Sequence, residues 1–140
     1  MAMSTKLSVA IHILSLIEMG PPAQVTSDYI AASVNTNPVV VRRLMSQLKK
    51  AGLIHSKRGS SENYLLKSPS AISLYDIYAA VELDRDIFNV HQDPNPNCAV
   101  GAHIQAVLEA DFAKVQQAME QELQQLSLAD VIHQLTAKRD

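Results

Sequence analysis

The 140-residue sequence holds a single cysteine, Cys98. That count excludes an internal disulfide, argues against a disulfide-stapled secreted scaffold and points to the reducing cytoplasm. The chain also lacks any uninterrupted apolar run of the roughly 20 residues needed to span a bilayer. The stretch VAIHILSLI after Lys6 is interrupted by His12 and Ser15, and no small-residue cleavage site follows it, so a secretion signal is not expected. There are no low-complexity tracts, hydrophobic content is 47%, and mean hydropathy is near zero. A soluble globular chain of one compact domain plus an appendage fits these values.

Enzyme signatures are missing too. There is no phosphate-cradling glycine loop, no serine elbow and no evident cleft of paired carboxylates. The least implausible catalytic pair, Cys98 and His103, is five residues apart and poorly placed to share one helical face. His91, Asp93, Cys98 and His103 are metal-ligand types, but their spacing matches no compact site and prolines break the loop between them. No catalytic residue, metal or cofactor is expected.

Net charge is only −2, which by itself gives no reason to look for nucleic acid. The average conceals a division. Residues 1–70 carry eight Lys/Arg against three acids, or +5, while residues 71–140 carry four against eleven, or −7. Such asymmetry marks a nucleic-acid-facing module joined to something that is not, the alternative being chance scatter of solvated charge.

Local signals divide the first half into short elements. Leu7, Ile11, Leu14 and Ile17 recur at helical spacing, and Gly20-Pro21-Pro22 ends that helix. Thr26 or Ser27 caps a short second helix with Ile30, Ala31 and Val34 on one face. Asn37-Pro38 then suits an N-cap followed by proline at the first helical position, in a helix running to Lys50 or Ala51 with Gly52 as its stop. Two short segments around a five-residue tip, Gly59 to Asn63, fit a β-hairpin.

In the second half, Ser73 to Glu82 is helical in pattern. Pro94 and Pro96 mark a loop over 83–97. From Cys98 to Leu126 the residues Val100, Ile104, Val107, Leu108, Phe112, Val115, Met119, Leu123 and Leu126 recur every three or four positions. A helix of that length, on the order of 42 Å, most economically buries its stripe against a second copy, the alternative being a helix folded back on its own domain. Ser127 caps a last short helix. The fold class is therefore mainly α with a small β-hairpin wing: a winged helix-turn-helix domain over 1–70 and a helical dimerisation region over 71–140, paired through 98–126.

The third helix carries the chemistry. Three consecutive valines, Val39 to Val41, fan over roughly 200° and cannot all face one apolar stripe. A helical wheel puts Val40, Val41, Leu44, Met45 and Leu48 on the buried side. Val39 then falls on the exposed side with Arg42, Arg43, Ser46, Lys49 and Lys50. A small apolar group among guanidinium groups suits a DNA major groove, where arginine pairs with guanine or phosphate and a methyl packs on thymine. The first turn is also expected to offer free backbone N–H groups and the positive end of its dipole to phosphate. The expected DNA-contacting residues are Thr36, Asn37, Pro38, Val39, Arg42, Arg43, Ser46 and Lys50, with Lys57, Arg58 and Ser60 on the hairpin.

The segments STKLSVAIHILSLI, IAASVNTNPVVVRRLMSQLKKAGLI, SLYDIYAAVE and NPNCAVGAHI, with the hairpin between them, together resemble the Rrf-two family of bacterial winged-helix transcription regulators, the group that includes IscR-, NsrR- and CymR-like proteins. SVNTNPVVVRR most resembles its YwnA-like branch. The resemblance spans nearly the whole chain. It implies a homodimeric DNA-binding regulator with a recognition helix over Asn37–Lys50, a wing over His55–Lys67 and dimerisation through the long helix. The sequence departs from the family in two places. Its wing tip is GSSENY where many members are glycine-rich. Cluster-binding members have three cysteines around the start of the long helix, whereas only Cys98 stands here, so a three-cysteine iron–sulfur cluster is excluded by count.

Cys98 is expected at the N-terminus of the long helix, where the dipole favours thiolate. It is there either a sensor of oxidants and electrophiles or a small buried cap residue. His12 and His133 lie in apolar helices as satisfied core or interface residues. The expected function is a cytoplasmic, sequence-specific, homodimeric regulator, a repressor, acting on double-stranded DNA with no membrane partner. The alternative is a winged-helix protein-interaction adaptor without specific DNA binding.

Overall fold

A computed structural model describes residues 4–21, 24–56 and 62–139. Its elements are α1 (Lys6–Met19), α2 (Ser27–Val34), α3 (Pro38–Lys50), β1 (Ile54–Ser56), β2 (Asn63–Leu65), α4 (Leu74–Val81), α5 (Ile104–Gln125) and α6 (Leu128–Arg139). The two strands pair antiparallel, with Ile54, His55 and Ser56 opposite Leu65, Tyr64 and Asn63. Asn63 is thus a strand residue rather than part of the hairpin tip.

The boundaries of α2 and α3 follow from side-chain chemistry. The Thr26 hydroxyl accepts from the Tyr29 amide at 3.1 Å, capping α2. That helix ends on Asn35 in the left-handed region, at φ 63°. Two residues later Asn37 Oδ1 accepts the Val39 amide at 2.8 Å, and Pro38 gives up no hydrogen bond at the first position of α3. At its other end α3 closes in a Schellman motif: the Gly52 N–H donates to Lys49 O at 3.0 Å and the Leu53 N–H to Leu48 O at 3.1 Å. Gly52 sits at φ +76° with open space where a β-carbon would be, so the restriction there is conformational rather than steric crowding. Gly52→Ala is expected to cost about 1 kcal/mol and Gly52→Asn less, measured by chemical denaturation.

One cluster of buried side chains joins the elements. Ala10, Ile13 and Leu14 of α1 meet Ile30 and Ala31 of α2, Val41, Leu44, Met45 and Leu48 of α3, Leu53 and the β1 residue Ile54 after it, Ile72 ahead of α4, Ile77 and Val81 of α4, and Leu128 of α6. The deepest row of α1 is therefore Ala10-Ile13-Leu14, not the expected Leu7-Ile11-Leu14-Ile17. Leu7, Ile11 and Ile17 are only partly buried. This helix is apolar around most of its circumference, so periodicity alone does not select the buried row. Ser15 is buried as well and is satisfied by donating to Ile11 O at 2.8 Å.

The sequence Ser-Leu-X-Asp occurs twice, at 73–76 and 127–130, and does the same work both times. Each serine hydroxyl accepts from the amide of the aspartate three residues on, and each aspartate accepts from the serine amide. The two helix starts lie back to back. The Leu74 N–H donates to Leu126 O at 2.8 Å and the Leu128 N–H to Ile72 O at 2.9 Å, fixing the end of α5 against the starts of α4 and α6. Hydrogen bonds from Ser127 hold the Asp130 carboxyl below the usual carboxylate range. That cap is complete at neutral pH and is lost as pH falls through the carboxyl's folded pKa.

Helix α5 starts later than the apolar pattern predicts. Residues 98–103 form successive turns, and the helix has 22 residues rather than about 28. Gly101 explains the delay, because a β-carbon there would collide with the Asn95 carbonyl. The chain is drawn against the loop before it can straighten into a helix. No residue of α5 is buried.

Candidate nucleic-acid interface

Helix α3 packs on α1, α2, α4 and β1 through one side only. Val41 and Leu48 are fully buried, and Leu44 and Met45 nearly so. The other side presents Val39, Arg42, Arg43, Ser46, Lys49 and Lys50, all exposed. The structure leaves two of the three valines outside the core rather than one: Val39 is 51% exposed and Val40 39%. The buried arc spans only about 100° of the helix, and Val40 lies just beyond its edge. Thr36 and Pro38 are half-buried at the entry to α3, and Asn37 is exposed.

The first turn differs from expectation in a second way. Pro38 has no amide hydrogen, the Val39 N–H is held by Asn37 Oδ1, and the Val40 and Val41 N–H groups donate to Asn37 O. The helix start thus offers a phosphate its dipole but no free first-turn amide. The charged side chains remain free. Among the described residues neither Arg42 nor Arg43 has a hydrogen-bond or ion-pair partner.

Beside α3 the two-stranded wing is fixed to the body by Asn63, whose Nδ2 donates to Val25 O at 3.2 Å and whose Oδ1 accepts from Ser56 Oγ at 2.6 Å. His55 and Tyr64 are directly opposed and stack at 6.4 Å between ring centroids on the exposed face. The Tyr64 hydroxyl donates to Glu62 at 2.6 Å, and that bond raises its pKa. This aromatic pair is an addition to the expected site. Its signal in the sequence is the period of two in each strand, readable only once the register is known. Lys57, Arg58 and Ser60 lie outside the described residues.

The family model Rrf2, described as an iron-dependent transcriptional regulator, matches residues 3–134. YwnA of Bacillus subtilis (strain 168), a candidate HTH-type transcriptional regulator, is 50% identical over 132 residues, covering 94% of this chain and 98% of its own. The chain belongs to the Rrf2 family. A solved structure of a candidate DNA-binding protein is 47% identical, covers 91% of this chain and 98% of its own, and superposes with a TM-score of 0.72. The structure of CymR, the global cysteine regulator of B. subtilis, is 25% identical over 95% of this chain and 97% of its own, with a TM-score of 0.65. This Rrf2 chain is accordingly a helix-turn-helix transcriptional regulator, and DNA binding is the activity the family implies for it.

The iron in the family's description does not fit these residues. One cysteine per chain cannot supply the several thiolates of an iron–sulfur cluster. Among the described residues no group of three or more His, Cys, Asp or Glu is placed to hold a metal ion. Cys98 itself is not at the start of α5 but in the turns before it, and it is exposed rather than a buried cap. Its thiol pKa is lowered by the backbone N–H groups of Gly101 and Val100, so turn amides replace the expected helix dipole as the cause. His12 is half-buried with Nε2 2.9 Å from Ser33 Oγ, tying α1 to α2, while His133 is exposed.

Proposed function

We propose that this Rrf2 chain is a cytoplasmic, homodimeric, sequence-specific DNA-binding repressor whose two copies each lay α3 in a major groove. The observation that carries the reading is the exposed face of α3, where Arg42 and Arg43, unpaired among the described residues, flank solvent-facing Val39 and Val40. Residues 1–70 supply the DNA-reading surface: Asn37, Val39, Arg42, Arg43, Ser46 and Lys50 face the groove, Thr36 and Pro38 shape the entry, and Lys57, Arg58 and Ser60 serve the wing. Residues 71–140, with the connecting loop 83–97, pair the copies through 98–126, where α5 buries none of its residues within one chain. The chain acts by binding rather than by catalysis, and no step requires a cofactor or a membrane.

Arg43→Ala is expected to weaken binding to the promoter of the chain's own gene by about 1–3 kcal/mol, read by gel shift, and to relax preference for one base pair. Unchanged affinity and preference would remove its base-reading role. Binding should also fall steeply with salt as phosphate counterions are displaced. Absence of any DNA retention at low salt would favour the adaptor.

Cys98 is the group through which oxidants or electrophiles act on the regulator. Its exposure and lowered pKa support that role. Its alkylation rate should therefore rise at lower pH than that of an ordinary thiol. If Cys98→Ser leaves promoter affinity unchanged with and without oxidant, the chain is not a thiol sensor.

A further inference from the structure

The 83–97 loop and one flank of α5 line an open cleft of about 600 Å³. Two tethers hold the loop across it. At one end Gln116 accepts from the Ile87 N–H at 2.9 Å and donates to Arg85 O and to the Tyr78 hydroxyl. At the other end Gln105 Nε2 donates to Gln92 Oε1 at 3.1 Å and to Glu109 Oε1 at 3.0 Å. Between the tethers Phe88 lies tilted against Phe112, with 5.5 Å between ring centroids, yet Phe88 remains 54% exposed. An aromatic side chain tethered over a cleft and left half open to water is poorly accounted for by packing alone.

The surrounding charge selects the occupant. Asp86, Glu109 and Glu120 line the cleft along with glutamines, in the half of the chain with the net negative charge. Burial raises the pKa of the adjoining Tyr78, the hydrogen bond with Gln116 lowers it, and the nearby Glu120 and Glu82 carboxylates raise it against the opposing charge of Arg85. The three carboxylates do not converge on a metal-sized point. Charge spread around aromatic faces suits an extended cation with an apolar body, held by ring quadrupoles and carboxylates together.

We propose that this cleft binds a small organic cation, an aromatic or quaternary amine, at one site per chain. The acidic flank of the cleft on α5, with Glu109, Gln116 and Glu120, is rotated by more than about 90° from exposed Val107 and Val115, with Phe112 between the two. The site is also connected to the DNA-reading helix, because α5 packs on α4 and α4 on α3.

Calorimetric titration of the full chain with benzyltrimethylammonium, and with benzenesulfonate as an anion of similar size, tests the proposal without relying on the DNA reading. Saturable binding of the cation alone is expected, weakened about tenfold in Phe88→Ala and in the Glu109→Gln/Glu120→Gln double variant. The double variant removes only exposed or half-exposed carboxylates and keeps the fold. Absence of cation binding, equal binding of the anion, or affinity unchanged in both variants would overturn it. So would separation of the dimer by Phe88→Ala, which would make the cleft a contact between copies.

Discussion

Leu48→Ala is expected to destabilise the chain by about 2–5 kcal/mol and to lower the melting temperature by on the order of 10 °C. Leu48 is fully buried in the last turn of α3, and its carbonyl accepts the Leu53 N–H that closes the helix. Leu53, only 2% exposed, belongs to the same core cluster. Truncation leaves a cavity at the junction of α3 with β1, where a capped helix end cannot easily collapse to fill it. Val39→Ala, on the exposed face of the same helix, should change stability by less than about 0.5 kcal/mol. Thermal unfolding of the two variants separates the face that holds α3 in place from the face available to DNA.

A comparably large effect is expected from placing charge on α5. This helix is about 33 Å long and buries no residue within one chain, although Val107 and Val115, 52% and 45% exposed, lie on a common side. A helix of that length gains stability mainly from packing an apolar face. Val107→Glu combined with Val115→Glu should therefore convert a dimer of twice 15.3 kDa into single chains, seen by light scattering. Two linked half-site contacts would become independent ones, with a loss in DNA affinity of about 100-fold or more. Circular dichroism should show helicity largely retained, because α4 still supports one side of α5. A dimer that survives both substitutions places its contact elsewhere.

How much of this was legible in the sequence differs from element to element. The start of α2 and both ends of α3 were, because Thr26, Asn37, Pro38 and Gly52 act on their immediate neighbours through hydrogen bonds and backbone preference. Both Ser-Leu-X-Asp starts are local in the same sense. The buried row of α1 was not, because a helix apolar on several sides takes its orientation from what packs against it. Val40 escaped for a related reason, since a wheel gives its angle but not the width of the arc that neighbouring elements cover. The start of α5 was misjudged because the spacing of Val100 and Ile104 continues the helical period through Gly101. The close approach of Gly101 to the Asn95 carbonyl is a contact that no periodicity encodes. The free amides expected at the start of α3 are absent because Asn37 uses its side chain and its carbonyl together, a result of geometry rather than composition. The opposition of His55 and Tyr64 required the register of the hairpin.

Two copies of α3 that read DNA through the face bearing Val39, Arg42 and Arg43 would select a symmetric duplex. The most direct measurement is selection of bound duplexes from a random DNA library, run side by side with the full chain and its Arg43→Ala variant. The full chain is expected to enrich a two-fold symmetric sequence with half-sites about one helical turn, or a multiple of it, apart, and the variant to lose preference at matching positions in both halves. Enrichment of no sequence by the full chain, or of the same sequence with equal strength by both proteins, would contradict it.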